Sequence, residues 1–469
     1  MMAGIGFYIQ KMLQKDTLSS TVVSVIFSAI VSVGPWLLTS TSLVVLGLLF
    51  PTNGNSNYEL FSMATIYAFI FSTLASGGLI MVIVRRVADL VFAKAYHRII
   101  NEYTGLFLFQ GVCSFIGSFL WIFFFGPEIT WIRLYFPLLF TVLSLLWSTL
   151  AFISVLQKYW QIIIGFSIGS LLAIVSPLLL MHFEQGVYSF FGYILGFGFC
   201  LTYLIFMLFK DIPTSEIQIA FSFFNAFKKY PENFFFGLFY YGAIWVDDII
   251  IWFSRFGINP VQGFRFSIIY DMPMFLAYLT IIPSLSLFFL VVETTFYNKY
   301  RRFYIHIEKG AQLKELEHDL TDIRTTINHQ MGFVIKIQVL VTMLLFIFSP
   351  FLMNSMGLPG KGSIIFQIGI IGALFNGTFL MLQLLLLYFE FRKEVLQLSL
   401  MVFSFNLIGT LIILRYYEDL LSLSYLVAFL VGSIVAKYIL DARLKHLIRI
   451  EFNRQPLGLQ KGEVKRSHF

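Results

Sequence analysis

The chain has 469 residues, of which 58% are hydrophobic, 18% aromatic and only 12% charged. A soluble domain carries roughly 25% charged residues, so this composition cannot cover a water-facing surface of this size. Soluble enzymes, nucleic-acid-binding proteins and disordered scaffolds are excluded. Long unbroken apolar runs also exclude an outer-membrane barrel, whose strands alternate polar and apolar.

What remains is a polytopic helical membrane protein. Its net charge of +7 then reports orientation and contact with lipid headgroups rather than nucleic acid.

In chain order, residues 2–16 read as a short interfacial helix. Ile5, Ile9, Met12 and Leu13 share one face, and Gln10, Lys11, Gln14 and Lys15 lie largely off it. The apolar run that follows is about twice the length of a signal h-region and precedes no small-residue cleavage site. A membrane-crossing helix needs about 20 apolar residues, and about twelve runs qualify. Six are 21–50, 59–84, 103–125, 131–156, 161–183 and 187–209; six more are 235–256, 270–292, 332–356, 363–389, 395–416 and 422–440.

The expected organisation is a cytoplasmic interfacial helix at 1–18, a six-helix lobe at 19–209 and a cytoplasmic linker at 210–234. A second six-helix lobe at 235–442 carries a cytoplasmic helical insert at 293–331, and a basic cytoplasmic tail occupies 443–469. Two six-helix halves suggest parallel repeats with a site between them, as in many secondary transporters.

Charge fixes the orientation. Alternate connections hold Lys11, Lys15, Arg85, Arg86, Lys94, Arg98, Lys158, Lys228, Lys229, Lys299, Arg301, Arg302, Arg392 and Lys393, and the tail adds more. The opposite set holds only Arg133, Arg255, Arg265, Lys361 and Arg415. The positive-inside rule then places both termini in the cytoplasm, with an even number of spans in a cytoplasmic (inner) membrane.

Other motifs are quiet. Cys113 and Cys200 lie in apolar runs and read as buried, inert thiols. The seven His residues show no metal-ligand spacing, and no cofactor is expected. Gly357-Leu-Pro-Gly360-Lys361 lacks phosphate-loop spacing and reads as a turn between two membrane helices. Gly34-Pro35, near the centre of the first span, reads either as a static kink or as a hinge.

The seventh span carries the sharpest signal, two adjacent carboxylates at membrane depth. Each costs about 2.5–3.5 kcal/mol at a lipid-facing centre, so such residues face a bundle interior or a wet cavity. Steps of 4, 3, 4 and 3 put Tyr241, Trp245, Asp248, Trp252 and Arg255 on one stripe. Asp247 is rotated about 100° from it.

Flat aromatic rings beside acceptors suit a sugar chain; packing tryptophans and an Asp bonded inside the bundle are the plain alternative. Arg265 and Asp271 flank the eighth span, as solvated loop charges or as a conduit exit. Asn376, Gln383 and Asn406 read as interhelical hydrogen-bonding amides. In the polar stretch 293–330, Leu313, Leu316, Leu320, Ile323 and Ile327 repeat at 3-4-3-4, the spacing of a coiled-coil seam. About two heptads cannot stand alone in water, so the seam packs on its own chain or docks a partner.

Three stretches carry a resemblance: Met2-Ala-Gly-Ile-Gly-Phe7, Trp245-Val-Asp247, and the Ser267-Ile-Ile-Tyr-Asp-Met-Pro273 segment running to Pro283, followed by Glu293 and a charged helix. Together they resemble the PelG family of exopolysaccharide transporters over most of the chain. The resemblance implies an all-α flippase fold of the multidrug/oligosaccharidyl-lipid/polysaccharide (MOP) superfamily: twelve helices in two lobes around a central cavity.

It also implies export of a nascent, N-acetylhexosamine-rich polymer for a biofilm matrix, and it favours Asp247 where the stripe favours Asp248. The implied partners are a PelF-like cytosolic glycosyltransferase and PelD/PelE-like membrane proteins, besides polysaccharide and membrane lipids. A polymer pushed by its own elongation needs no ATP site, and no enzyme activity is expected.

The rival within transport is an H⁺- or Na⁺-coupled drug or lipid-linked sugar flippase. One carboxylate of a close pair is readily held protonated, which suits proton coupling. A membrane glycosyltransferase would need catalytic carboxylates in its loops, but Glu315, Glu317, Asp319 and Asp322 alternate with the seam as a solvated face. An assembly scaffold without a conduit is the last alternative.

Overall fold

The computed structural model describes residues 18–49, 56–180, 187–212 and 217–453; the expected interfacial helix at 2–16 lies outside them. In hydrocarbon every N–H and C=O must be paired within the protein, and a helix does this inside one segment. The apolar runs accordingly form α1 (Leu18–Leu49), α2 (Ser56–Phe92), α3 (Tyr96–Phe125), α4 (Thr130–Val155), α5 (Tyr159–Leu180) and α6 (Val187–Asp211). A short α7 (Phe224–Lys229) precedes α8 (Pro231–Trp252) and a hairpin of β1 (Ile258–Val261) and β2 (Phe264–Phe266). Then come α9 (Ile268–Leu279), α10 (Ile282–Val291), a π turn at Val292–Phe296, α11 (Tyr297–Lys309), α12 (Leu313–Ser355), α13 (Lys361–Tyr388), α14 (Arg392–Tyr416), α15 (Leu423–Lys445) and α16 (Leu447–Asn453).

Among the described residues, 11 helices are long and apolar enough to cross a membrane, the continuous run Ile268–Lys309 counting as one, and α1 adds an apolar stretch at Val33–Leu49.

Packing divides the chain into Val33–Ile268 and a second unit of Ile269–Phe469 with Met1–Ser32. In the first unit α2 is the hub, packing on α3, α4, α6 and α8, while α5 and α6 pair closely. α8 belongs to this unit because small residues let two backbones approach. A methyl group on Gly237 would lie 2.4 Å from the Gly77 carbonyl oxygen, and one on Gly77 would lie 2.3 Å from the Tyr241 ring. Cys200 is buried in this unit, whereas Cys113 is exposed, which corrects the expectation that both thiols are buried. Cys113 sits on α3, whose outer face also exposes Leu108, Val112 and Ile116.

In the second unit α13 packs on α12 and α15, and α14 packs on α15. Its core joins Ala277, Met353, Phe366 and Ile370. Gly357 and Gly360 both have positive φ (73° and 69°) in the turn joining α12 to α13, a left-handed geometry that glycine adopts without penalty.

The eighth span is broken at Thr280–Ile281, just before Pro283, which has no N–H to continue the ladder. Gln338 on α12 donates its Nε2 to the Thr280 carbonyl at 3.0 Å. α12 has 43 residues, about 65 Å at 1.5 Å per residue. Hydrocarbon spans about 30 Å, so its polar first turns extend beyond the membrane beside α11, the two joined through Gly310 (φ 69°).

Candidate functional site

α8 lies with its carboxylates turned into the packed unit. Asp247 is 0% and Asp248 3% exposed. Neither is an isolated charge, for both interact with neighbours, as burial at this depth demands. Residues 100° apart on a helix are both covered where its packed face is wider than that angle. The 3-4 stripe therefore does not separate an inward from an outward carboxylate.

The aromatic members of the stripe divide. Trp252, 2% exposed, is stacked on Tyr67 of α2, with ring centroids 5.0 Å apart and planes at 16°. Tyr67 also packs on Trp121 and meets Phe264 edge-on. Trp252 is thus part of an aromatic core of its unit. The Tyr241 ring covers Gly77. Trp245 is half-buried and is the stripe's ring that retains an accessible surface nearest the carboxylates.

The hairpin after α8 is fixed by the same tyrosine. Tyr67 donates its hydroxyl to the Arg265 carbonyl at 2.7 Å and accepts the Arg265 N–H at 2.8 Å. The Arg265 guanidinium lies over the Phe253 ring at 5.1 Å, and that of Arg255, which is exposed, lies over Phe256 at 5.4 Å. Both arginines therefore flank the end of α8. Asp271 lies on α9, in the second unit, half-buried. Tyr67 had no sequence signal beyond being an aromatic residue in an apolar run.

Gly34 and Pro35 are buried within α1. The following turn is tied to α6. Thr39 donates to the Pro35 carbonyl at 2.8 Å, and the Tyr193 hydroxyl donates to the Thr39 carbonyl at 3.3 Å and lies 3.2 Å from Ser42 Oγ. The division between the two units falls at Ser32/Val33, directly before Gly34.

The seam is covered by its own chain. Leu316, Leu320, Ile323 and Ile327 are buried, while Leu313 is 59% exposed. Opposite it, α11 buries Phe303, Tyr304 and Ile307. Polar clamps hold the two helices: Arg302 donates to Asp319 Oδ1 at 2.8 Å and to Asp322 Oδ2 at 2.6 Å, and His306 Nδ1 lies 2.6 Å from Asp319 Oδ2. The Arg302 guanidinium holds the Asp322 carboxyl below its ordinary range.

Among the mid-span amides, Asn376 donates to the Tyr425 hydroxyl and Gln383 to Ser399, both between helices; Asn406 accepts from Thr410 within α14. The first unit holds a comparable network. Gln110 donates to Ser76 and to the Ser144 carbonyl and accepts from Ser148. A lone amide in the third apolar run was its sequence signal.

A family model described as "PelG: Putative exopolysaccharide Exporter (EPS-E)" matches residues 2–452. Solved structures with a similar fold include an outward-facing multidrug resistance MATE family transporter of the MOP superfamily: TM-score 0.65, 11% identity, covering 92% of this chain and 97% of that one. The Vibrio cholerae MATE transporter VcmN in its bent form gives TM-score 0.62 at 13% identity, covering 94% and 99%. The eukaryotic MATE transporter AtDTX14 gives 0.57 at 16% identity, covering 95% and 96%. No curated protein matches the chain.

Proposed function

The chain belongs to the PelG exopolysaccharide exporter family, and from that premise we propose that it passes a nascent, N-acetylhexosamine-rich polymer across the inner membrane. Both termini face the cytoplasm, where a glycosyltransferase feeds the chain. The single observation that carries this reading is the family match over residues 2–452, joined to a transporter fold of MOP type. Export driven by elongation asks the protein for a polar path and not for a chemical step. The half-buried ring of Trp245 supplies a flat surface for sugar faces. Asp247 and Asp248, covered in this structure, supply acceptors for hydroxyls and amide N–H groups where the path opens, and Arg255 and Arg265 act at the end of α8.

Tyr241 and Trp252 support this path by holding α8 against α2 and the hairpin, not by stacking on sugar. The seam at 316–327 acts in the same indirect way, shaping a polar hairpin that presents Leu313 and the charged outer faces of α11 and α12 to the glycosyltransferase. Gly34-Pro35 is proposed as the bend of α1; a similar fold has been solved in a bent form.

One observation favours a second reading. Two neighbouring buried carboxylates suit an ion-coupled flippase for drugs or lipid-linked sugars, because one of a close pair is easily protonated. The two mechanisms separate on exported polymer at matched membrane levels. Under the conduit, Asp247→Asn and Asp248→Asn keep acceptors and reduce export modestly, while Trp245→Ala removes a stacking surface of about 1 kcal/mol and reduces it more. Abolished export in either Asn variant, with Trp245→Ala near wild type, establishes ion coupling instead. Impermeant labelling of a cysteine at Glu315 in intact cells tests the orientation; rapid labelling there reverses it.

A further inference from the structure

The segment between α6 and α8 is laid flat along one end of the first unit. Gln218 N–H donates to Asn101 Oδ1 at 3.1 Å, Thr104 donates to the Gln218 carbonyl at 3.0 Å, and Ala220 N–H donates to the Asn101 carbonyl at 3.0 Å. Gly105 makes this approach possible, since a methyl group there would lie 2.1 Å from the Ala220 oxygen. Ser222 donates to Glu102, which is buried and doubly bonded by Arg86. Phe223, Ala226 and Tyr230 then turn inward, the last two onto Val82.

This pinning leaves the apolar side chains of the segment on its outer side. Ile217, Ile219 and Phe221 are 50–58% exposed, and Phe224 beside them is exposed too. Four large apolar residues held outward by paired backbone need a covering.

Their setting says what covers them. The segment joins the end of one span to the start of the next, so it lies at the level where helices leave the hydrocarbon. The acids at this end are mostly spent internally: Asp89 on Arg85, Lys229 and Tyr230, Glu102 on Arg86, and Asp211 on Lys158. Lys94, Arg98, Lys210 and Lys228 are exposed and have no ion pair among the described residues, against one acid without an ion pair, the half-buried Glu232. An apolar face at interfacial depth, bordered by surplus cations, has the physical signature of an amphipathic membrane anchor.

We propose that residues 217–224 form an interfacial anchor, with Ile217, Ile219, Phe221 and Phe224 in the acyl boundary. Lys94, Arg98, Lys210 and Lys228 bind anionic lipid headgroups around it.

The test uses the full chain with Cys113→Ala and Cys200→Ala, carrying a nitroxide on a cysteine at Ile217, Ile219 or Phe221, reconstituted in phosphatidylcholine vesicles with or without phosphatidylglycerol. A label at Glu315, on the polar end of α12, reports the aqueous level. Collisions with oxygen should exceed those with a water-soluble nickel chelate at 217, 219 and 221, with the order reversed at 315. Nickel access equal to that at 315 would overturn the anchor and leave the face to a protein partner. Retention of phosphatidylglycerol over phosphatidylcholine should fall about fivefold for each of Lys210→Gln, Lys228→Gln and Arg98→Gln, the effect of one basic residue at an anionic surface. Unchanged retention in the triple variant would overturn the headgroup assignment.

Discussion

Gly237→Ala tests whether the carboxylate-bearing helix is held where the contact with α2 places it. The added methyl carbon would sit 2.4 Å from the Gly77 carbonyl oxygen and 2.8 Å from its carbonyl carbon. Both are backbone atoms of a long helix, so no side-chain rotation relieves the clash. Restoring an ordinary contact of about 3.4 Å means moving α8 from α2 by about 1 Å, and overpacking of this kind costs roughly 1–3 kcal/mol. Gly→Ala also gains up to about 1 kcal/mol of helix propensity, which confuses a comparison with wild type alone.

Gly198→Ala in α6 supplies the control, because its methyl group meets no atom within 4 Å while its propensity gain is the same. The difference between the two variants therefore isolates the steric term. Membrane proteins often unfold irreversibly, so the readout is the half-life at fixed temperature in detergent, measured alongside polymer export. Gly237→Ala should lose stability by the stated amount relative to Gly198→Ala. It should also lose export, since a shift at residue 237 is carried along the rigid helix to Asp247, about 15 Å away. Equal half-lives would refute the close α2–α8 contact. A shortened half-life with full export would show that the carboxylates need no fixed position.

Glu102→Gln weakens the doubly bonded pair with the partly exposed Arg86 and should cost about 1.5–3 kcal/mol, whereas the double variant with Arg86→Gln should recover part of that loss; thermal stability of the three variants checks it. Because Glu102 also accepts from Ser222, the amides of 218–222 should exchange hydrogen faster in the single variant. Leu316→Ala deletes a buried side chain and should cost about 2–5 kcal/mol, while Leu313→Ser, at an exposed site, should fall within about 0.5 kcal/mol; only the latter gives an interpretable pull-down of the glycosyltransferase. The Arg302–Asp322 pair should resist acid. A carboxyl lowered on folding contributes fully above its unfolded value of about 3.9 and is lost as pH falls through its lowered folded value, so with His306 and His318, which face Asp319 and Asp322, replaced by Gln, proteolytic nicking at the Gly310 turn should be constant from pH 8 to 5 and rise only below about pH 4.

The chain's membrane nature, its apolar runs and the Gly357–Gly360 turn were legible in the sequence, because each follows from local rules. Hydrocarbon thickness sets run length, and paired glycines mark a left-handed turn. The polar stretch before the ninth span was legible as an amphipathic helical insert for the same reason, its 3-4 spacing being a property of one helix, whereas its division at Gly310 into two helices was not.

What the tertiary structure decided is which face of each helix meets which neighbour. Of the stripe Tyr241, Trp245, Asp248, Trp252 and Arg255, the first four lie on α8, which ends at Trp252 before Arg255; the periodicity could not say that Trp252 stacks on Tyr67 or that both carboxylates are covered. That answer depends on Gly77 and Tyr67, more than 160 residues earlier in the chain, whose size and shape set how closely α2 and α8 approach. The burial of the seam depends likewise on Phe303 and Ile307 of the preceding helix, and the outward face of 217–224 on Asn101 and Gly105. Helical period is written in a single segment, but burial is a property of pairs of surfaces, and in a chain this apolar every helix offers several faces that could be buried.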